Sequence, residues 1–259
     1  MCTQLSVVVM AFLMASSLMA QTNPLAKDGM VRAAYLATNP AHAVQDPATG
    51  EARGVVIDLV RELGRMHAVK AMPIPLANPQ AVIDAVRNGE AEVGFVAYNP
   101  ERAGPVEFSK PYLLVNQTFI VRDDSPIRSI ADIDRQGRKL GATRADSIAL
   151  YLGRTLKQGQ LVQLEDSSPN AVYGMLKEGA IDAFGANRQR LTDMSRGTKG
   201  FRLLPDDLYG VEQTIIVAGG RRDALDAVNR FIDDVRRSGV LKAAVERSGV
   251  VGVAVAPER

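Results

Sequence analysis

Beyond the first thirty residues, apolar positions follow two alternating rhythms. Val31 to Leu36 is a short, largely apolar run and predicts a strand. Val55 to Met66 places apolar residues at 55, 56, 59, 60, 63 and 66, the spacing of an amphipathic helix. Asn78-Pro79 then offers a cap and a first-turn proline ahead of a helix over Ala81 to Arg87, with Gly89 just past its end. Val93 to Ala97 is a second strand, and Leu113 to Val121 a longer extended run. Near the other end, Leu225, Val228, Phe231, Ile232 and Val235 mark one face of a helix over Arg222 to Ser238. Helices alternating with apolar strands predict an α/β protein with largely parallel sheets.

One block of this pattern occurs twice. Asn78-Pro79-Gln80-Ala81-Val82, followed by Gly89, Glu92 and Phe95, returns ninety positions later as Ser168-Pro169-Asn170-Ala171-Val172, followed by Gly179, Asp182 and Gly185. Capping rules alone make any helix–glycine–strand unit look alike. The shared spacing of cap, proline, glycine, acidic residue and strand points further, to two related lobes. In that register Ala97 and Asn187 are equivalent, each at the carboxyl end of its lobe's strand. Gln117 to Arg122 and Gln213 to Ala218 are strand-like and suited to connect the lobes. Asp123-Asp124-Ser125-Pro126 supplies turn chemistry, and Ser129 to Asp132 has capping-box spacing. The expected division is one lobe from 21–122 plus 213–259 and a second from 123–212. Two crossings make a hinge around a cleft that can close on a ligand.

The first twenty residues break the rhythm. Leu5 to Leu18 is almost wholly apolar, and small residues up to Ala20 precede the polar Gln21-Thr22-Asn23. This predicts a secretory signal peptide over 1–20 and a periplasmic location. No lysine or arginine precedes the apolar run, and an uncleaved membrane anchor is the alternative. Cys2, the only cysteine, would leave with the leader, so no disulfide or thiolate chemistry is expected.

Composition narrows the partners. The 259 residues carry 31 basic and 29 acidic side chains, a net charge of +2, and no tryptophan. Nothing there favours nucleic acid. The pairs Arg221-Arg222 and Arg236-Arg237 read as solvated helix faces. Only His42 and His67 offer imidazoles, His67 as a polar flank and His42 in a loop able to approach the cleft. No phosphate-binding glycine loop, metal-ligand cluster or nucleophile motif is present, so no cofactor and no catalysis are expected.

The candidate chemistry lies at Asn99-Pro100-Glu101-Arg102, just after the strand ending at Ala97 and before Phe108-Ser109-Lys110-Pro111-Tyr112. Open α/β sheets bind small ligands at the carboxyl ends of their strands. A guanidinium there suits a carboxylate, through its planar fork of donors. The structural alternative is a helix cap or a pair with Glu107.

Pro100-Glu101-Arg102 and Phe108 to Tyr112 resemble the bacterial extracellular solute-binding proteins of family 3, the periplasmic amino-acid-binding type. Gly54 to Leu59, Gly89 to Val93 and Gly179 to Ala183 are similar to further signatures of that family in the same order. The resemblance implies a two-lobed type II periplasmic-binding-protein fold and delivery of a ligand to an ABC permease, without chemistry. It assigns Arg102 to the ligand's carboxylate. Three departures stand out: Ala97 replaces a usual hydroxyl, Asn187 stands where an aspartate often holds the ligand's ammonium, and Leu36 to Asn39 lacks an acidic residue. Asp146, before Ser147 at a second-lobe helix start, is either an N-cap or a substitute ammonium partner. Asn187 is either a structural strand-end residue or a reader of a neutral polar group. The expected ligand-binding set is Arg102, Asn187, Ser147, Asp146, Asn39, Ala97 and Tyr98, acting in a monomer. A sensory or orphan binding module and a dehydratase-like enzyme are the alternatives.

Overall fold

The computed structural model describes residues 23–258 other than positions 38, 47 and 145; the expected leader and Cys2 lie outside the described residues. The first part of the chain runs β1 (Met30–Leu36), β2 (Val44–Gln45), β3 (Ala52–Arg53), α1 (Val55–His67), β4 (Lys70–Leu76), α2 (Pro79–Arg87), β5 (Val93–Ala97) and β6 (Val106–Phe108). The middle follows as β7 (Leu113–Arg122), β8 (Lys139–Thr143), α3 (Ser147–Thr155), β9 (Gln160–Leu164), α4 (Pro169–Glu178), β10 (Ala183–Asn187), α5 (Arg188–Ser195) and β11 (Phe201–Leu203). The chain closes with β12 (Tyr209–Ala218), α6 (Arg222–Arg237), α7 (Val240–Ser248) and β13 (Val253–Val255).

The strands are ordered β4-β1-β5-β12-β7-β10-β8-β9. At one end β1 lies parallel between β4 and β5, and at the other β8 lies parallel between β9 and β10. The two parallel sets are joined by antiparallel pairing of β5 with β12, β12 with β7, and β7 with β10. The β7–β12 ladder, Leu113 to Gln117 against Gln213 to Tyr209, is the bridge between the halves.

Each half has its own core. Around β1 and β5, Val31, Phe95 and Tyr112 pack against α1, α6 and α7, while Val82 and Val86 of α2 cover the other sheet face with Ile216. In the second half, Phe119, Leu140 and Ala183 pack with Ile148 and Leu152 of α3 on one face, and Ile120 and Phe184 with α4 and α5 on the other. On β7, Leu113 belongs to the first half's core and Phe119 to the second's, so the cores change over within the bridging ladder.

The duplicated block has a physical counterpart. Both helices of the repeat open on proline, at Pro79 and Pro169, and their strands span Val93–Ala97 and Ala183–Asn187 in the same register. The Glu92 carboxylate accepts from the backbone N–H of Arg32 at 2.7 Å, and the Asp182 carboxylate from that of Lys139 at 2.8 Å. Their own N–H groups donate to the carbonyls of Arg32 and Lys139 in turn. Each acidic residue therefore fastens its strand's entry to the neighbouring strand. Gly89 (φ +75°) and Gly179 (φ +72°) occupy the left-handed region just past their helices, where glycine carries no steric penalty.

Two features were not readable in advance. β4 carries Pro73 and Pro75, which weakens a strand pattern, yet it pairs only with β1 at the sheet edge. The two prolines share one parity, so their missing donors face outward, where no ladder bond is lost. Arg236, expected on a solvated face, has a side chain only 12% exposed and donates to the Pro111 carbonyl at 3.1 Å.

Candidate ligand-binding cleft

The cleft is built where β5 ends. After Ala97 the chain stays tied to the bridge, because the Tyr98 N–H donates to the Glu212 carbonyl at 2.8 Å. Asn99 then accepts from the Glu101 N–H through its side-chain oxygen at 3.0 Å, and Pro100 opens a 3-10 turn over Pro100–Arg102. The Arg102 N–H donates to the Asn99 carbonyl, which fixes the direction in which the side chain leaves. Arg102 is half-buried as a residue, and its guanidinium has no hydrogen-bond or ion-pair partner among the described residues. Glu107 is committed elsewhere: it accepts from Gly220 N–H at 2.9 Å and lies 3.9 Å from Arg222.

α3 faces this turn. Asp146 caps the helix, accepting from the Ser147 N–H at 2.7 Å. Ile148 and Leu152 are buried in the core, which turns Ser147, Leu150, Tyr151 and Arg154 outward on one stripe at i, i+3, i+4 and i+7. A cavity of about 300 Å³ lies between them and the Asn99–Arg102 turn, floored by Tyr209 to Glu212 of β12. Tyr151 stacks on Tyr209 with centroids 4.2 Å apart and planes 13° from parallel. Tyr98 meets Phe108 edge-on at 5.2 Å. Arg154 reaches across to Glu101 at 3.1 Å. Burial, reinforced by the Asp146 charge and Tyr151, raises the pKa of the Tyr209 hydroxyl, so that phenol stays neutral.

Of the expected set, Ala97, Tyr98, Arg102 and Ser147 line this cavity. Asp146, Asn39 and Asn187 are not among its lining residues. Asn187 caps α5, accepting from Arg190 N–H at 2.9 Å, and Asn39 accepts from Ala41 N–H at 3.0 Å. His42 does not approach the cleft. It is fully buried, with Nε2 2.9 Å from the Gln213 Oε1. Leu150, Tyr151, Arg154 and Tyr209 were missed, although the α3 stripe was present in the sequence opposite Ile148 and Leu152. Among the described residues no group of three His, Cys, Asp or Glu side chains is placed to hold a metal ion.

Two α/β halves, a paired-strand bridge and a cleft between strand ends define a type II periplasmic binding fold. The profile of the bacterial extracellular solute-binding proteins, family 3, matches residues 31–249, and the chain belongs to that family. It is 24% identical over 173 residues to a glutamine-binding protein of Geobacillus stearothermophilus, covering 65% of this chain and 64% of that one, a little under two thirds of the relative's length. It is also 24% identical over 202 residues to the L-cystine-binding protein TcyJ of Escherichia coli, covering 76% and 74%. Among solved structures, a putative binding component of an ABC transporter from Wolinella succinogenes complexed with lysine matches with a TM-score of 0.66 at 20% identity, covering 85% and 96%.

Proposed function

We propose that this solute-binding protein captures a small carboxylate-bearing ligand, an amino acid or related organic acid, and delivers it to an ABC permease of the inner membrane. In this reading the chain is exported to the periplasm, loses its leader near Ala20, and acts as a monomer without catalysing a reaction. Capture occurs by closure of lobe 21–122 plus 213–259 on lobe 123–212 about the β7–β12 ladder. Relatives named for binding glutamine and cystine support the ligand class.

The observation that carries the reading is Arg102. A half-buried arginine at a strand end, its guanidinium unpartnered among the described residues, is poised for a bidentate anion. The test is a thermal-shift screen of amino acids and small carboxylates, followed by calorimetry on Arg102→Ala. A true ligand raises the melting temperature by mass action. Charge-assisted hydrogen bonds contribute about 1.5–3 kcal/mol, so the variant should bind about 10- to 100-fold more weakly. Unchanged affinity in Arg102→Ala would remove the site assignment.

A further inference from the structure

The lining of the same cleft says more than that it takes an anion. Tyr98 and Leu150 are among the large apolar side chains the protein leaves most exposed, at 46% and 41%, and they come from opposite halves to meet in one cavity. Exposed apolar surface gathered in a concave site marks a binding wall rather than ordinary surface scatter. The rings are also held. Phe108 fixes Tyr98 edge-on, and Tyr209 fixes Tyr151 face to face. A wall already ordered before binding loses little entropy when a ligand arrives.

Several polar groups beside these rings are already occupied. Arg154 pairs with Glu101, the Asn99 side-chain oxygen accepts from Glu101 N–H, and the Thr155 hydroxyl donates to the Tyr151 carbonyl at 2.8 Å. What the rings and Leu150 offer the far end of a ligand is then mainly apolar contact, which a flat apolar body fills in shape as well as in chemistry.

Resting on the carboxylate-capture reading, we infer that the ligand is an aromatic monocarboxylate. Its carboxylate meets Arg102, and its ring lies in the cavity bounded by Tyr98, Leu150 and the Tyr151–Tyr209 stack. Ring-to-ring contact favours offset or edge-on packing, for which these side chains offer both faces and edges. The class differs from glutamine, cystine and lysine, named for the related proteins.

Calorimetric titration of the purified protein with 3-phenylpropanoate, L-phenylalanine, L-glutamine and L-arginine tests this. At least one of the two aromatic carboxylates should bind at least about tenfold more tightly than glutamine or arginine. Tyr98→Ala should weaken the aromatic ligand by about tenfold or more, and Tyr98→Phe should restore it. Tighter binding of glutamine or arginine, lost in Arg102→Ala, would overturn the aromatic preference and leave carboxylate capture standing. Aromatic binding that survives Arg102→Ala would instead remove the carboxylate reading. Equal weakening of aromatic and non-aromatic ligands by Tyr98→Ala would make the ring a lobe-closing contact and overturn the inference.

Discussion

Burial of His42 beside Gln213 leaves an imidazole that pays heavily for a proton. Its Nδ1 has no partner among the described residues, and desolvation lowers its pKa to about 4 from an ordinary value of 6.5, against the opposing pull of the Gln213 hydrogen bond. Between those two values the unfolded chain binds a proton that the folded protein refuses. The contribution of His42 to stability is therefore complete above about pH 6.5 and is lost as pH falls toward about 4. A displacement of that size corresponds to about 3 kcal/mol. Urea unfolding at intervals from pH 7 to pH 4 should show stability falling through this window, and His42→Gln should flatten the slope. A wild-type slope that the substitution leaves unchanged would place the titration elsewhere. At the same scale Arg102 and Tyr98 differ from His42: they are accessible from the cleft, and their substitution should change binding more than stability.

At the scale of the element, caps decide which polar residues remain available to a ligand. Asn187 ends β10 and begins α5, where its side-chain oxygen takes the Arg190 N–H. Arg190 is itself engaged, donating to the Ser167 carbonyl at 2.7 Å and the Thr143 hydroxyl at 3.3 Å, with its guanidinium 5.5 Å from the Phe184 ring centroid. Removal of a cap of this type costs about 1 kcal/mol. Asn187→Ala should thus lower the unfolding free energy by about that amount, with ligand affinity changed less than about threefold. A large loss of affinity with little loss of stability would return Asn187 to the ligand. Sequence and structure agree best at this scale. The apolar spacing of Val55 to Met66 and of Arg222 to Ser238 foretold α1 and α6 to within a residue or two, because a helix with one buried face must repeat it every turn. The repeat foretold α4 and β10 from α2 and β5, because the same caps and the same strand-entry carboxylate do the same work twice.

Across the whole molecule, the halves touch through more than the bridge. Arg154 and Glu101 join α3 to the turn after β5 at 3.1 Å, with side chains 62% and 67% exposed. Behind the bridge, β13 pairs with β7, and the Val251 N–H donates to the Gln189 side chain of α5 at 2.6 Å. Gly252 lies so close to Arg188 that an added Cβ would stand 2.5 Å from that residue's Cβ, at a φ of +73°. The C-terminal segment therefore bears on lobe geometry as well as on packing. Exposed ion pairs contribute at most about 1 kcal/mol and weaken with salt. Glu101→Gln should accordingly shift the ligand-free protein toward a more open form, read as a larger radius of gyration in small-angle scattering, with affinity changed by no more than about fivefold. An identical scattering profile in low and high salt, for both proteins, would show that the pair does not restrain the lobes.

The sequence by itself determined the α/β class, the repeat, the strand-end arginine and the family resemblance, because those depend on local spacing and on capping chemistry. Tertiary structure alone decided which side chains share the cleft. Tyr151 and Tyr209 are 58 positions apart in the sequence, and nothing local announces that their rings stack. Asp146 and Asn187 have the chemistry of ligand contacts but are drawn into helix caps, since an unpaired helix N–H nearby claims the side-chain oxygen first. Whether His42 faced solvent or core was likewise invisible in a loop without periodicity. Its burial follows from the packing of that loop over α1 and β12.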